Sequence, residues 1–183
     1  MIKKMKGFTL IELLIVVAII GILAALLIPK AMMAIQKAKQ KGTMKDVNTI
    51  ATSIMDYITD KGGAPASTGG DVDVAFTNFI SPFYLKAFPM NDQWGTPFQI
   101  YTGLGCDGQV WGFDNGGAEW AVDDYFVGST GRNGTAEAPL GFSLTDTSTG
   151  FYQINSMTDF NNDIVNWNGS MVIAPRSASG AAS

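Results

Sequence analysis

The chain has 183 residues, 46% of them hydrophobic, with 16 acidic and 12 basic side chains, a formal charge of −4, one cysteine and no histidine. That length suits one folded domain with a short appendage. The missing histidine removes Ser-His-Asp and Cys-His catalysis, histidine metal sites and C-x-x-C-H haem attachment, and no G-x-x-x-x-G-K-[ST] loop is present to cradle nucleotide phosphates. A single cysteine, Cys106, rules out an intrachain disulfide and reads as a small buried filler.

Three lysines, Lys3, Lys4 and Lys6, stand in front of an apolar run whose only charge between Phe8 and Ile28 is Glu12. Twenty-one helical residues reach about 31 Å, the thickness of a bilayer core. A secretory signal peptide is the rival reading. The run is longer than an ordinary signal core, however, and no small-x-small cleavage site closes it; the small residue, Gly7, lies in front. The leading lysines predict residues 1–7 in the cytoplasm and the rest of the chain across the membrane. A carboxylate within such a span either snorkels to the headgroups or marks function.

Lys6-Gly7-Phe8-Thr9-Leu10-Ile11-Glu12, the apolar run and then Pro29 resemble the N-terminus of type IV pilins and type II secretion pseudopilins. The resemblance implies that a prepilin peptidase cuts between Gly7 and Phe8 and that Phe8 is N-methylated. It also implies assembly roles for Glu12, the fifth residue after the cut, and Pro29, the twenty-second. A buried pair of opposite charges is far cheaper than either alone, so Glu12 of one subunit is expected to face the Phe8 ammonium of the next in a packed array. Pro29 removes a backbone donor, and a local kink is expected there in preference to a helix end, because helical patterning resumes after it.

Beyond Pro29, Val47, Ile50, Ala51, Ile54, Tyr57 and Ile58 form one apolar stripe at helical spacing, with polar residues opposite. Gly42 is a weak point within the pattern, and Gly62-Gly63 before Pro65 is a stop signal. Lys30, Lys37, Lys39, Lys41 and Lys45 are the only charges from Pro29 to Lys45. Asp46 onward carries four basic side chains against fifteen acidic ones. A basic helix thus carries an acidic head. The lysines read as a solvated face or as attraction to anionic lipid, and nucleic-acid binding through the head is not expected.

Residues 62–75 read as a loop, and 76–88 as a short helix ending before Pro89. Then Asp92, Trp94, Gly95, Pro97 and Phe98 resemble the D-x-W-G-x-P-aromatic signature of major pseudopilins; the bland alternative is an aromatic anchored in a Gly/Pro turn. The runs FQIYTG, QVWGF, EWAV, YFVG, GFSL, FYQIN and SMVIAP are candidate strands. They predict an antiparallel sheet of three to five strands on the helix stripe, with Trp111, Trp120 and Trp167 as core or edge aromatics. Asp163, Ile164, Asn166 and Trp167 resemble the end of the family's calcium loop, and Asp159, Asn161 and Asp163 have alternating oxygen-ligand spacing. The loop is not an EF-hand, and a plain Asx-rich turn fits the same residues.

The expected fold is therefore α+β: a long N-terminal transmembrane or filament-core helix packed on a small antiparallel β-sheet head, the pilin fold. The expected divisions are a cleaved leader (1–7), a membrane or filament-core segment (8–28), its amphipathic continuation (29–61) and a β-rich head (62–183). Three functional readings stand. The first is a major pseudopilin, a subunit of a homo-oligomeric helical filament. It would be stored in membrane lipid and polymerised by an inner-membrane assembly platform and ATPase to drive type II secretion, with its head in the periplasm. The second is the major pilin of a surface type IV pilus used for adhesion, motility or DNA uptake. The third is a membrane-tethered enzyme or binding module, disfavoured by the lack of any catalytic cluster. Cleavage would leave 176 residues (183 minus 7), long for a major pseudopilin, with the extra length in 103–150.

Overall fold

Helix α1 runs from Leu10 to Lys61 without interruption. Its N-terminal part is rich in Leu, Ile and Ala, which lose little conformational freedom in a helix or tolerate its crowding when no polar group must be satisfied. The helix continues through Pro29 and through Gly42. Pro29 has no amide hydrogen, so the carbonyl of Ala25 lacks its helical donor there. At the C-terminal end Gly62 takes a positive φ of 79°, and its amide bonds the Ile58 carbonyl at 2.7 Å, closing the helix with a left-handed cap.

The computed structural model describes residues 7–67, 69–113, 118–137 and 150–176. The chain divides into two compact units, Met1–Lys37 and Ala38–Ser183. In the first, the described part is the N-terminal portion of α1, whose apolar side chains from Phe8 to Ile28 are exposed almost throughout. The second contains the rest of α1, strand β1 (Gly70–Asp71), helix α2 (Val74–Ile80), β2 (Gln99–Thr102), β3 (Tyr125–Ser129), β4 (Phe151–Tyr152), β5 (Ile164–Trp167) and β6 (Ser170–Pro175). Two 3-10 turns, Gly103–Gly108 and Met157–Asn161, connect strands.

The strands form one sheet in the order β1-β2-β3-β5-β6-β4, antiparallel except for the β4–β6 pair at one end. Six strands exceed the three to five expected, two of them being two-residue edges. The fold is α+β, and α1 lies on one face of the sheet. Val47, Ile50, Ala51 and Ile54 of the helix stripe share a core with Phe76, Ile80, Phe98, Ile100, Tyr125, Val127 and Ile164; Tyr57 and Ile58, at the end of the stripe, are half-buried.

Alternate residues of the same strands point the other way. Tyr101, Phe126 and Val165 join Cys106, Trp111, Trp120, Val172 and Ile173 in a second core on the opposite face. The sheet is therefore covered on both sides, by α1 and by the 103–124 segment, which explains why every residue of β3 is buried. Here the strand expectations fail: QVWGF and EWAV are turns and irregular chain, and their tryptophans form the second cover. Aromatics at alternating positions report a half-buried face, not the backbone pairing beneath it. The expected strand GFSL lies outside the described residues. Helix α2 also starts and ends earlier than expected. Asp73 Oδ1 caps the Phe76 amide at 2.7 Å, and Pro82 pushes Ser81 into extended backbone.

Candidate functional site

The N-terminus of α1 is built around Thr9 and Glu12. Glu12 Oε2 accepts the Thr9 amide at 2.8 Å and the Thr9 hydroxyl at 2.7 Å, while the Glu12 amide donates to Thr9 Oγ1 at 3.3 Å. This is a reciprocal capping box, with Thr9 as the cap and Glu12 at the third helical position. Sequence reading missed it, although T-L-I-E spells the pattern. Glu12 thus holds the first turn open at its own amide end, immediately after Gly7 and Phe8, and the carboxylate suits the positive end of the helix dipole. Phe8 is 83% exposed. The helix that follows is long and apolar enough to cross a membrane, with none of its most apolar window buried in the chain. Pro29 lies within α1, at the end of that apolar stretch.

The tryptophan–glycine signature forms a clasp on the head. Asp92, only 6% exposed, receives the amides of Trp94 at 2.9 Å and Thr96 at 3.0 Å on Oδ1, and the Ser129 hydroxyl at 2.6 Å on Oδ2. The backbone closes on itself through Asp92 to Thr96 at 2.8 Å and Gly95 to Asp92 at 3.1 Å. Gly95 sits at φ 97°, which only glycine adopts without strain. Gln93, on the outer side, accepts nothing from the clasp but donates from its amide to Thr43 Oγ1 at 3.2 Å and from Nε2 to Asp46 at 2.8 Å. The signature therefore ties β3 to α1. Gly42 belongs to the same contact: a Cβ there would lie 2.9 Å from Gln93 Cγ, so the helix weak point is the space Gln93 occupies.

The residues expected to bind calcium divide. Asp159 Oδ2 accepts the amides of Asn155 and Ser156, both at 2.7 Å, as the partner of a capping box on the 3-10 turn. Those backbone hydrogen bonds hold its pKa below the ordinary carboxylate range. Asn161 is half-buried at the end of the same turn, and its carbonyl lies against Gly131, whose missing Cβ would be 2.3 Å away. Asp163 is different. It is 3% exposed, and its Oδ2 accepts Trp111 Nε1–H and the Glu137 amide, both at 2.9 Å. Burial pushes its pKa up to about 7. Its Oδ1 is buried with no hydrogen-bond partner, and so is Oγ1 of Thr130, one step beyond the Ser129–Ile164 pair on the neighbouring strand. Among the described residues no three Asp, Glu or Cys side chains converge as a metal site. The three residues are thus not brought together as an acidic cluster; one supplies a buried, partly unsatisfied carboxylate.

Tyr152 anchors this loop without a disulfide. Its hydroxyl receives Gln40 Nε2 of α1 and donates to the carbonyls of Asn162 and Asp163, each at 3.3 Å.

A helix with a capped threonine–glutamate start and an exposed apolar length, carried into a small two-sided sheet, defines a pilin-like subunit. Residues 2–28 match the family profile described as the prokaryotic N-terminal methylation motif. Type II secretion system core protein G of Pseudomonas aeruginosa is 33% identical over 132 residues, spanning 62% of this chain and 92% of that protein. The core protein G of Aeromonas hydrophila is 27% identical, over 67% of this chain and 97% of the relative, and that of Vibrio cholerae 28% identical over the same shares. No solved structure matches. The chain belongs to the core protein G family of type II secretion systems, the major pseudopilins.

Proposed function

We propose that the protein is the polymerising structural subunit of a type II secretion pseudopilus. A prepilin peptidase removes residues 1–7, and Phe8 is N-methylated. The subunit then waits in the inner membrane through residues 8–28, with residues 62–183 as a periplasmic head. An assembly platform and its ATPase lift it into a homo-oligomeric helical filament, whose growth moves folded substrates outward. It performs no chemistry of its own. The observation that carries this reading is Gly7-Phe8-Thr9 followed by Glu12 at the mouth of an exposed apolar helix. An isolated carboxylate there is costly in lipid, and the ammonium of Phe8 on a neighbouring subunit is its natural partner. The names of the relatives, all secretion-system proteins, favour this over a surface pilus. Intact-mass measurement of the membrane-extracted protein tests the first step: the expected species begins at methylated Phe8, and any other N-terminus defeats the assignment.

Calcium belongs to the same proposal in a reduced form. Asp163 Oδ1 is the anionic ligand the chain offers, with Thr130 Oγ1 beside it, and a hard cation there would satisfy oxygens that now lack partners. Asp159, already committed to its capping box, and Asn161 are supporting residues of the loop.

A further inference from the structure

Within the head unit, α1 keeps one side free of the sheet. Lys41, Lys45, Asn48, Thr52, Met55, Asp56, Thr59 and Asp60 are all exposed. The charges on this side are segregated. Lys41 and Lys45 stand four residues apart near one end, and Asp56 and Asp60 stand four residues apart near the other. Each lysine precedes its acidic counterpart by fifteen residues. Fifteen residues of α-helix amount to about 22 Å along the axis and about 60° around it, so both pairs lie on the same half of the helix. No hydrogen bond or ion pair engages Lys41, Lys45 or Asp56 among the described residues, and Asp60 accepts only the Tyr84 hydroxyl, at 3.1 Å.

We propose that this face of α1 is a subunit–subunit contact in which Asp56 and Asp60 of one copy meet Lys41 and Lys45 of the next. The inference rests on the filament reading. Copies anchored through the same N-terminal helix run parallel. Side by side without stagger, they would set lysine against lysine and carboxylate against carboxylate. A stagger of about 22 Å brings the two oppositely charged pairs into register with matching four-residue spacing. Such a contact uses two different patches on one molecule. It is heterologous, and repetition generates an open filament instead of a closed dimer. Exposed single ion pairs contribute little each, so the two pairs select register and orientation more than they add stability.

The test uses the full chain in cells that assemble the filament, with sheared filament measured by immunoblot. Lys41→Glu with Lys45→Glu, and separately Asp56→Lys with Asp60→Lys, are expected to lower filament yield at least tenfold at unchanged membrane level. Combining all four changes in one chain restores yield to within about twofold of wild type. A second arm places cysteines by Lys45→Cys and Asp60→Cys; Cys106 is fully buried and stays out of the reaction. Positions 45 and 60 lie too far apart on one helix to join within a chain. Oxidation is therefore expected to give a ladder of covalent oligomers. Filaments that tolerate either reversal, a four-fold swap that stays defective, or oxidation that stops at dimers or gives no product overturns the register while leaving the filament reading intact. A wild-type chain that forms no filament overturns both.

Discussion

At the scale of single residues, the polar groups that matter most are those whose every oxygen is spoken for, and those left over. Asp92 is of the first kind. Its carboxylate takes three donors from two elements, so Asp92→Ala strands buried amides and the Ser129 hydroxyl. The expected cost is roughly 3 kcal/mol, or roughly 6–12 °C in the thermal midpoint of the detergent-solubilised protein by circular dichroism. Asp92→Asn keeps Oδ1 and presents an amide that can donate to Ser129, so its midpoint should lie close to wild type. Equal loss in both variants would show that the turn, not the hydrogen bonds, is what counts. Glu12 carries a different expectation. Glu12→Ala removes the only charge of the apolar run and half of the capping box. Membrane insertion should be undiminished, because an uncharged side chain suits lipid better, while filament yield should fall to background. Normal filament yield from the membrane-inserted variant would remove Glu12 from assembly.

Among elements, β3 is where the two layers meet. Tyr125 and Val127 face α1, and the Tyr125 hydroxyl donates to the Ala51 carbonyl at 3.0 Å; burial pushes its pKa up to about 12, so it remains a donor at any ordinary pH. Phe126 faces the other way, stacked on Phe113 and Trp167 with ring centroids 5.1 and 5.6 Å away. Between these, Gly128 passes under Trp111: a Cβ would sit 2.4 Å from Cζ2 of the indole. Gly128→Ala should therefore destabilise by about 1–3 kcal/mol through overpacking. Trp111→Leu in the same chain should recover part of that loss despite its own cavity, since neighbouring substitutions that relieve one clash are not additive. Urea unfolding of both singles and the double checks this. A double variant as unstable as the sum of the singles would mean that the indole is not what Gly128 makes room for.

For the whole molecule, the open question is how a β-rich head with one cysteine holds its C-terminal loops. The structure supplies the Gln40–Tyr152 link to α1 and the second apolar core. The proposed cation at Asp163 would add to them. At a hundredfold excess over its dissociation constant, a ligand bound only by the native state contributes about 2.7 kcal/mol. The full chain in detergent should then melt roughly 5–10 °C lower with a chelator than with millimolar calcium, and Asp163→Asn should abolish the difference. Identical midpoints for the wild-type protein would reduce the loop to an ordinary turn with a protonated aspartate.

Much was legible in the linear chain because it depends on local composition. A long run of apolar residues with one carboxylate, preceded by lysines and glycine, sets the membrane-competent helix. The 3.6-residue stripe from Val47 to Ile54 sets the face that α1 buries. Gly62 sets where the helix stops, since only a left-handed residue caps it cheaply. What tertiary structure decided was which residues far apart in sequence share a space. Nothing local distinguishes Trp111 and Trp120 in turns from tryptophans in strands; their place became visible only when the outward faces of β2, β3 and β5 needed covering. Ile164–Trp167, read as the end of a cation loop, is a central strand because its partner β3 lies some forty residues earlier. Asp159 and Asp163 share a spacing but not an environment. One meets two free amides at a turn and stays charged, while the other is drawn beneath Trp111 and left with an oxygen unpaired. Hydrogen-bond supply and burial are properties of the packed molecule, and residue spacing cannot encode them.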